Sequence, residues 1–288
     1  MRLPAFIVFV LVLFNSCNLI NPDEQEPGYI YIPSLTFTTG PGEGTSSQKI
    51  TEVWVYVNED IMGVYDLPAN IPVLKEGSQN VRIFAGIKNN GFSDTRIRYP
   101  FYVPFDTTLT FSALKTDTVK PRFEYFENLL IDQKGFESGN FLIPAGTNNG
   151  TFEVVTDDNL VFEGNRSGLG RLTSSQSVLY YKDDENLTFT SGNTIMLEMN
   201  YSCNNRFAIG LISNDGSITK RNMVLVVNPT TSGEGNPVWN KIYIDMGSVP
   251  IENPNADFFE LYFESTPDTD GQPVEIYLDN LKFVRFDQ

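Results

Sequence analysis

From residue 29 onward the chain is a succession of short apolar or alternating runs, each followed by Gly, Pro, Asn or Asp. No window of a dozen residues has convincing helical periodicity, and this pattern is typical of an all-β protein. Val53, Val55 and Val57 occupy alternating positions and therefore share one face of a predicted strand. A second strand is predicted over residues 80–87, followed by an Asn-Asn-Gly turn.

The length of 288 residues predicts two domains, because a domain typically has roughly 100 to 200 residues. Pro121 follows a polar run and marks the predicted joint. Residues 29–120 carry enough short strands for a small sandwich, and their pattern resembles immunoglobulin-like and prealbumin-like modules. Residues 121–288 carry longer strands that fit a jelly-roll β-sandwich.

The N-terminus reads as an export signal. Arg2 precedes an almost entirely apolar run, residues 3–14. A dozen residues cannot cross about 30 Å of hydrocarbon as a helix. The sequence Asn15-Ser16-Cys17 at the expected cleavage point resembles the lipobox of bacterial lipoproteins, which implies a signal peptide over residues 1–16 and a lipid on Cys17. The alternative is a secreted protein with a chance cysteine.

Residues 17–28 form a predicted acidic tether, with Asp23, Glu24 and Glu26 among prolines and a glycine. Acidic residues behind the lipidated cysteine resemble the export signals of Bacteroidetes-type lipoproteins. That resemblance implies attachment to the outer membrane through the lipid and exposure at the cell surface, whereas a plain solvated linker is the alternative. Cys203 is the only other cysteine, so no intrachain disulfide is expected.

Charge and composition exclude several functions. The chain has 36 acidic and 20 basic residues, a net charge of -16, and no histidine. Nucleic acid is an unsuitable partner because its phosphates need clustered Lys and Arg. The absence of histidine excludes the usual hydrolytic triads and the commonest zinc ligand. Divalent cations and neutral ligands are favoured, and the paired acids of a glycosidase remain an option.

Three fragments of the second domain resemble the galactose-binding-like jelly rolls of carbohydrate-binding modules: GFESGNF at 135–141, VFEGNRSGLGRL at 161–172 and VEIYLDNLKFV at 274–284. In that family an early strand with a glutamate lies beside a closing strand with an Asp-Asn step, often around a structural calcium ion. The resemblance therefore implies Glu137 and Asp279 as metal ligands.

The closing strand changes phase. Its apolar residues stand at even positions up to Leu278 and at odd positions from Leu281 onward. A β-bulge at Asp279-Asn280 would produce that shift and would aim oxygen atoms into a pocket, as calcium requires. A bulge with solvated polar residues is the alternative.

A sugar-binding surface needs aromatic rings that stack on sugar faces, beside polar groups that bind hydroxyls. Trp239 has that chemistry, and so do Tyr201, Asn204 and Arg206 in the segment NYSCNNRF. The alternative is that these aromatic residues belong to the core.

Three hypotheses for function follow. The first is a lipid-anchored envelope protein with a non-catalytic domain that binds extracellular glycan. The second is an accessory lipoprotein that docks onto an outer-membrane protein complex. The third is a carboxylate-based glycan hydrolase. The sequence context singles out no pair among the many acidic residues, and it contains no nucleophile elbow, P-loop or dinucleotide motif, so no catalytic residue and no cofactor other than calcium is assigned.

Overall fold

Strands form nearly all of the regular structure. The computed structural model describes residues 24–231 and 236–287. The signal peptide, Cys17 and the first part of the tether lie outside these residues and stay predictions. Within the described ranges the one helix is α1 (Ser248–Glu252), and no helix there is long and apolar enough to span a membrane. The all-β prediction is confirmed.

The strands fall into two groups along the chain. The first group is β1 (Gly28–Ile32), β2 (Thr36–Phe37), β3 (Glu52–Val57), β4 (Asp60–Asp66), β5 (Ala69–Val73), β6 (Gly77–Lys88), β7 (Arg96–Arg98), β8 (Phe105–Phe111), β9 (Thr116–Thr118) and β10 (Arg122–Phe123). The second group is β11 (Leu129–Lys134), β12 (Leu142–Pro144), β13 (Thr151–Val155), β14 (Ser167–Leu172), β15 (Leu179–Asp183), β16 (Met196–Cys203), β17 (Phe207–Asn214), β18 (Thr219–Val227), β19 (Asn240–Asp245), β20 (Phe258–Ser265) and β21 (Val274–Phe286).

The N-terminal domain is a small sandwich. One sheet has the order β4-β3-β6-β7, with β8 also paired to β6, and the other has the order β5-β1-β9. Val53, Val55 and Val57 are fully buried and share a core with Ile30 and Ile71 of the second sheet. The alternation of apolar residues thus directs one face of β3 inward, which confirms the predicted strand.

The C-terminal domain is a two-sheet sandwich, as predicted for the jelly roll. One sheet has the order β13-β14-β21-β16-β19, with β11 also on β21, and the other has the order β12-β15-β20-β17-β18. The long strand β21 pairs with β14 through residues 274–278 and with β11 through residues 281–286. On this side of β21 its two halves therefore pair with different strands, whereas β16 pairs with both halves on the other side.

The predicted bulge lies between these halves. Across β16 and β21, Glu198 is opposite Lys282 and Asn200 is opposite Asp279, so Met199 alone faces two residues of β21. Asn280 has φ of 48°, a left-handed conformation that Asn tolerates better than most residues. The bulge at Asp279-Asn280 is confirmed.

The segment around the predicted joint packs with the first domain. The predicted boundary at Pro121 puts residues 121–126 in the second domain, but β10 pairs with β2, and Phe123 and Tyr125 lie in the N-terminal core. Tyr125 forms an isolated β-bridge with Tyr102, and its ring packs against the rings of Phe37 and Tyr102. The chain enters the C-terminal sheets with β11.

Polar contacts connect the two domains beside β19. The Lys49 N–H donates to Tyr243 Oη at 3.0 Å, and the Asn90 N–H donates to the Tyr243 carbonyl at 2.9 Å. Asn90 Oδ1 accepts the N–H of Asp245 at 2.9 Å. The turn after β6 is thereby fixed against β19 of the other domain.

A buried charge lies at the same junction. Glu198 is fully buried on β16 and has Lys241 Nζ at 2.7 Å and Lys282 Nζ at 3.9 Å from Oε2. Tyr99 and Tyr125 of the first domain both donate to Oε1 at 2.6 Å. Burial raises the pKa of Glu198, but the two lysines and the hydrogen bonds outweigh it and lower the pKa to about 2. The carboxylate stays charged and binds both domains.

Candidate functional site

A cleft of about 410 Å³ opens where the two domains meet, a size within the usual range of roughly 300 to 1,000 Å³ for ligand sites. The first domain contributes side chains from the segment before β3, from the end of β6 and from the turn after it. The second contributes β16, the end of β18 and the segment that enters β19. The described lining residues are Lys49, Thr51, Lys88, Asn90, Gly91, Phe92, Tyr201, residues 225–230 and residues 238–243.

Two aromatic side chains add accessible ring surface to the cleft, beside exposed aliphatic residues such as Val226 and Val238. Trp239 is half-buried and packs against Phe162 and Tyr277, with ring centroids 5.3 and 6.2 Å away. Phe92 comes from the other domain and is 51% exposed. Because Trp239 is packed from behind and Phe92 is exposed, both rings are placed to contact a ligand face.

Tyr201 lines the cleft as part of its wall. The residue is only 5% exposed, and burial raises the pKa of its phenol. The Asn240 amide donates to Tyr201 Oη at 3.0 Å, and Asn240 Oδ1 accepts a hydrogen bond from Lys49 Nζ. Tyr201 therefore orients the polar groups of Asn240 and Lys49, while Trp239 and Phe92 offer the open aromatic surfaces.

The other two predicted ligand residues lie elsewhere. Asn204 donates to the Pro273 carbonyl at 3.2 Å and accepts the Glu275 N–H at 2.8 Å, so its amide connects the segment after β16 to the start of β21. Arg206 pairs with Asp268 at 2.8 Å in a separate depression of about 280 Å³. The structure thus brings Trp239 and Tyr201 together in the cleft, and Asn204 and Arg206 are not among its described lining residues.

A larger depression of about 730 Å³ lies on the outer face of the N-terminal domain. Among its polar side chains, Arg82 binds Asp106 at 2.7 Å. Its aromatic surface is covered by Arg98, whose guanidinium lies 4.7 Å from the centre of the Phe84 ring. The cleft at the junction presents the exposed ring of Phe92 and the half-buried ring of Trp239 from two different domains and is the better candidate site.

The half of the cleft that belongs to the first domain has no local signal in the sequence. Lys49, Lys88 and Phe92 are more than a hundred residues away from Trp239 along the chain. Each of them reads locally as an ordinary surface residue near a turn. Only the docking of the two domains places them in one site.

The three fragments that resemble carbohydrate-binding modules meet in space at the bulge. Glu137 Oε1 accepts the N–H groups of Asn165 and Arg166 at 2.8 and 3.0 Å. Gly164 has φ of 75°, and a Cβ there would lie 2.3 Å from Glu137 Oε1, so the approach requires glycine. These backbone hydrogen bonds lower the pKa of Glu137.

Asp279 holds the same loop from the side of β21. Its Oδ2 accepts the hydroxyl of Ser167 at 2.7 Å and the N–H of Glu163 at 3.4 Å, and its Oδ1 accepts the N–H of Asn280 at 2.7 Å. Burial raises the pKa of Asp279, and the charge of Glu137 contributes to that rise. The two carboxylates therefore lie close enough to repel each other.

A divalent cation between Glu137 and Asp279 would relieve that repulsion. Against this, N–H and O–H donors already occupy Glu137 Oε1 and Asp279 Oδ2. Throughout residues 24–231 and 236–287 no group of three or more His, Cys, Asp or Glu side chains could hold a metal ion. The residues fit calcium in part, and the calcium site stays a prediction.

No protein-family model matches the chain, and no curated protein matches it. Among solved structures, the chain is similar to one from a study of promiscuous specificity in carbohydrate-binding modules of the β-sandwich superfamily, with 16% identity and a TM-score of 0.43 over 91% of this chain and 99% of that one. It is also similar to a family 29 carbohydrate-binding module, with 12% identity and a TM-score of 0.34 over 54% of this chain and 88% of the module. A third is TmCBM61 in complex with β-1,4-galactotriose, with 14% identity and a TM-score of 0.34 over 52% of this chain and 94% of that one. Similarity at these values carries no information on the ligand of this chain.

Proposed function

We propose that the protein is a lipid-anchored component of a bacterial cell envelope and binds extracellular glycan, without catalysis, in the cleft between its two domains. The observation that carries this proposal is the placement of Trp239 and Phe92, one from each domain, on the walls of one cleft. Sugar rings present apolar faces that stack on aromatic side chains, and their hydroxyls need amide and ammonium groups close by.

The polar groups of the cleft suit that ligand. Asn90, Asn228 and Asn240 line it together with Thr230. Amides and hydroxyls can both donate and accept, which matches the mixed hydrogen bonding of sugar hydroxyls. Asn90 and Asn240 are held by neighbouring groups, so little side-chain entropy is lost when a ligand binds.

Affinity electrophoresis of the full chain in gels that contain single polysaccharides tests the proposal. We expect retardation by at least one glycan, and loss of that retardation in Trp239→Ala and in Phe92→Ala. Tyr31→Ala is the matched control, because Tyr31 is 38% exposed and does not line the cleft. Absence of retardation across a broad glycan panel, or retardation unchanged in both cleft variants, contradicts glycan binding in this cleft.

The proposed location of the protein depends on lipidation of Cys17. We propose acylation of Cys17 after removal of residues 1–16, an acidic tether behind it, and display at the outer membrane. Intact mass of the mature protein should give a chain that begins at Cys17 with added lipid. Cys17→Ser should leave an unlipidated chain that is not retained in the membrane fraction, and retention of that variant contradicts the anchor.

Docking onto an outer-membrane protein complex is the second candidate function. The observation that favours it is β18, which is the edge strand of its sheet and carries Met223 at 63% exposure. An edge strand can accept a strand from a partner. A photo-crosslinking residue in place of Met223 should then capture one stoichiometric partner in cells, whereas the same probe in place of Leu114, 66% exposed in the other domain, should not.

Hydrolysis of glycan is the third candidate. A glycosidase needs two carboxylates across the bound sugar, and the described residues that line the cleft include neither Asp nor Glu. The full chain is incubated with a polysaccharide that retards it in the gel. The reducing ends released during the incubation measure hydrolysis directly. Product release that disappears when one acidic residue is replaced by its amide would establish an enzyme and overturn the non-catalytic proposal.

A further inference from the structure

We infer that the glycan bound in the cleft is acidic and that Lys49 and Lys88 together hold its carboxylate or sulfate group. The inference rests on the proposed function, because it specifies the ligand class of the same cleft. It also differs from what the net charge of -16 favours, namely a neutral ligand or a cation.

The described lining of the cleft is basic, whereas the chain as a whole has a net charge of -16. Lys49, Lys88 and Lys241 line it, and no acidic residue stands among its described lining residues. At physiological salt, exposed charges are screened beyond about 8 Å. A ligand inside the cleft therefore interacts with these lysines more strongly than with the distant acidic surface.

The three lysines are not equivalent. Lys241 is 3% exposed at its side chain and pairs with Glu198 at 2.7 Å, so its charge is balanced inside the protein. Neither Lys49 nor Lys88 has a carboxylate within ion-pair distance in the described part of the chain. Arg96, the cross-strand neighbour of Lys88, is balanced by Asp66 at 3.1 Å. Two ammonium groups thus remain for a ligand.

Lys49 and Lys88 line the same cleft and carry charges of the same sign. Burial lowers the pKa of Lys49, and the charge of Lys88 lowers it further. Holding two like charges together without a counter-ion destabilises the free protein slightly. An anion that binds between them removes this cost and gains both attractions, so the site favours an anion over a neutral group of the same size.

The backbone and side-chain contacts position this lysine pair. The N–H of Lys49 donates to Tyr243 Oη, and its Nζ donates to Asn240 Oδ1. Lys88 ends β6, and its carbonyl accepts the N–H of Gly91 in the turn that Asn90 fixes to β19. The aromatic surface of Trp239 lies in the same cleft, so one sugar unit can stack while its acidic group faces the lysines.

Matched pairs of polysaccharides test the inference and separate the two acidic groups. Polygalacturonate against its methyl ester probes the carboxylate, and a sulfated galactan against the same galactan after desulfation probes the sulfate. We expect the full chain to bind one acidic form about tenfold or more tightly than its neutral partner, and we expect this preference to shrink as salt rises from 0.05 to 0.5 M.

Substitution of the lysines assigns the preference to the cleft. Lys49→Met and Lys88→Met should each weaken binding of the acidic form roughly fivefold and weaken binding of the neutral form less, so that the double variant shows no preference. Lys120→Met is the matched control, since Lys120 is exposed and outside the cleft. All variants alter surface side chains, and circular dichroism verifies their fold.

The outcomes separate the inference from the proposed function. Equal binding of acidic and neutral forms, lost in Trp239→Ala, overturns the acidic ligand and leaves glycan binding in place. A preference for acid that survives in the double lysine variant also overturns the role of Lys49 and Lys88. Failure to bind any glycan overturns both proposals.

Discussion

The hydroxyl of Tyr99 donates to Oε1 of Glu198 at 2.6 Å, and these two buried residues belong to different domains. Tyr125 makes a second such bond, and Lys241 supplies the positive charge on the other oxygen. Burial of a carboxylate costs free energy unless it is paired and hydrogen-bonded. Separation of the domains would therefore remove the two tyrosine donors from the charge of Glu198. Since both domains wall the cleft, this contact also maintains the shape of the candidate site.

Removal of one donor from Glu198 should therefore destabilise the protein. We expect Tyr99→Phe to lower the free energy of unfolding by about 1.5–3 kcal/mol, the usual size for a hydrogen bond to a charged group. Urea titration measures the effect. The control Tyr31→Phe removes a hydroxyl from a tyrosine with 38% exposure and should change stability by less than about 0.5 kcal/mol. Equal effects of the two substitutions would refute a special role for the Tyr99 contact.

Stability should also fall in acid because of Glu198. Its pKa is about 2 in the folded protein against an ordinary value of 4.5, so the folded state binds the proton less tightly than the unfolded state does. The stabilisation is complete above the unfolded value and disappears as pH falls from about 4.5 to about 2, with a size of about 3 kcal/mol. The stability difference between the protein and Glu198→Gln should shrink over that range in urea titrations at several pH values. Glu76→Gln, at an exposed position, should show no such trend, and a difference for Glu198→Gln that is constant with pH would contradict the assignment.

Local patterns in the sequence were sufficient for the strands and for the bulge. The two-residue period of a strand makes Val53, Val55 and Val57 face inward, and the change of phase after Leu278 requires an extra residue in β21. The cleft has no such local signal. Trp239 was recognisable by its chemistry, but Lys49 and Lys88 acquire a role only through the contact of two domains, and a net charge summed over the chain conceals a basic cleft.

The bulge gives a prediction for Asn280. Its φ of 48° suits Asn and Gly and is strongly disfavoured for a β-branched residue. Asn280→Gly should remain within about 1 kcal/mol of the protein in urea unfolding, whereas Asn280→Val should lose roughly 1–2 kcal/mol more. If the valine variant were as stable as the glycine variant, residue 280 would have to adopt an ordinary strand conformation.

Cys203 should be inert in the folded protein. The residue is buried, and burial raises the pKa of its thiol to about 12. At pH 8 the reactive thiolate is then only about one part in ten thousand. Iodoacetamide should leave Cys203 unmodified in native buffer and modify it fully in urea, as read from the mass of the peptide that contains it. Rapid native modification would mean that this side of the cleft opens to solvent.

If calcium binds at Glu137 and Asp279, stability should depend on the calcium concentration. If only N–H and O–H donors of the protein hold the loop, it should not. Both carboxylates already hold the loop at residues 163–167 through N–H and O–H groups. A bound ion would add a stabilisation that grows with its concentration, and each kcal/mol should raise the midpoint of thermal unfolding by roughly 2–4 °C for a domain of this size. Calcium chloride should therefore raise the midpoint of the full chain, magnesium should raise it less because it demands a stricter geometry, and Glu137→Gln with Asp279→Asn should abolish the rise. Asp158→Asn, at an exposed position, should retain it. A midpoint that does not change with calcium, or one that rises equally in the double variant, contradicts the calcium site. The N–H and O–H donors of the protein would then be the groups that hold the loop.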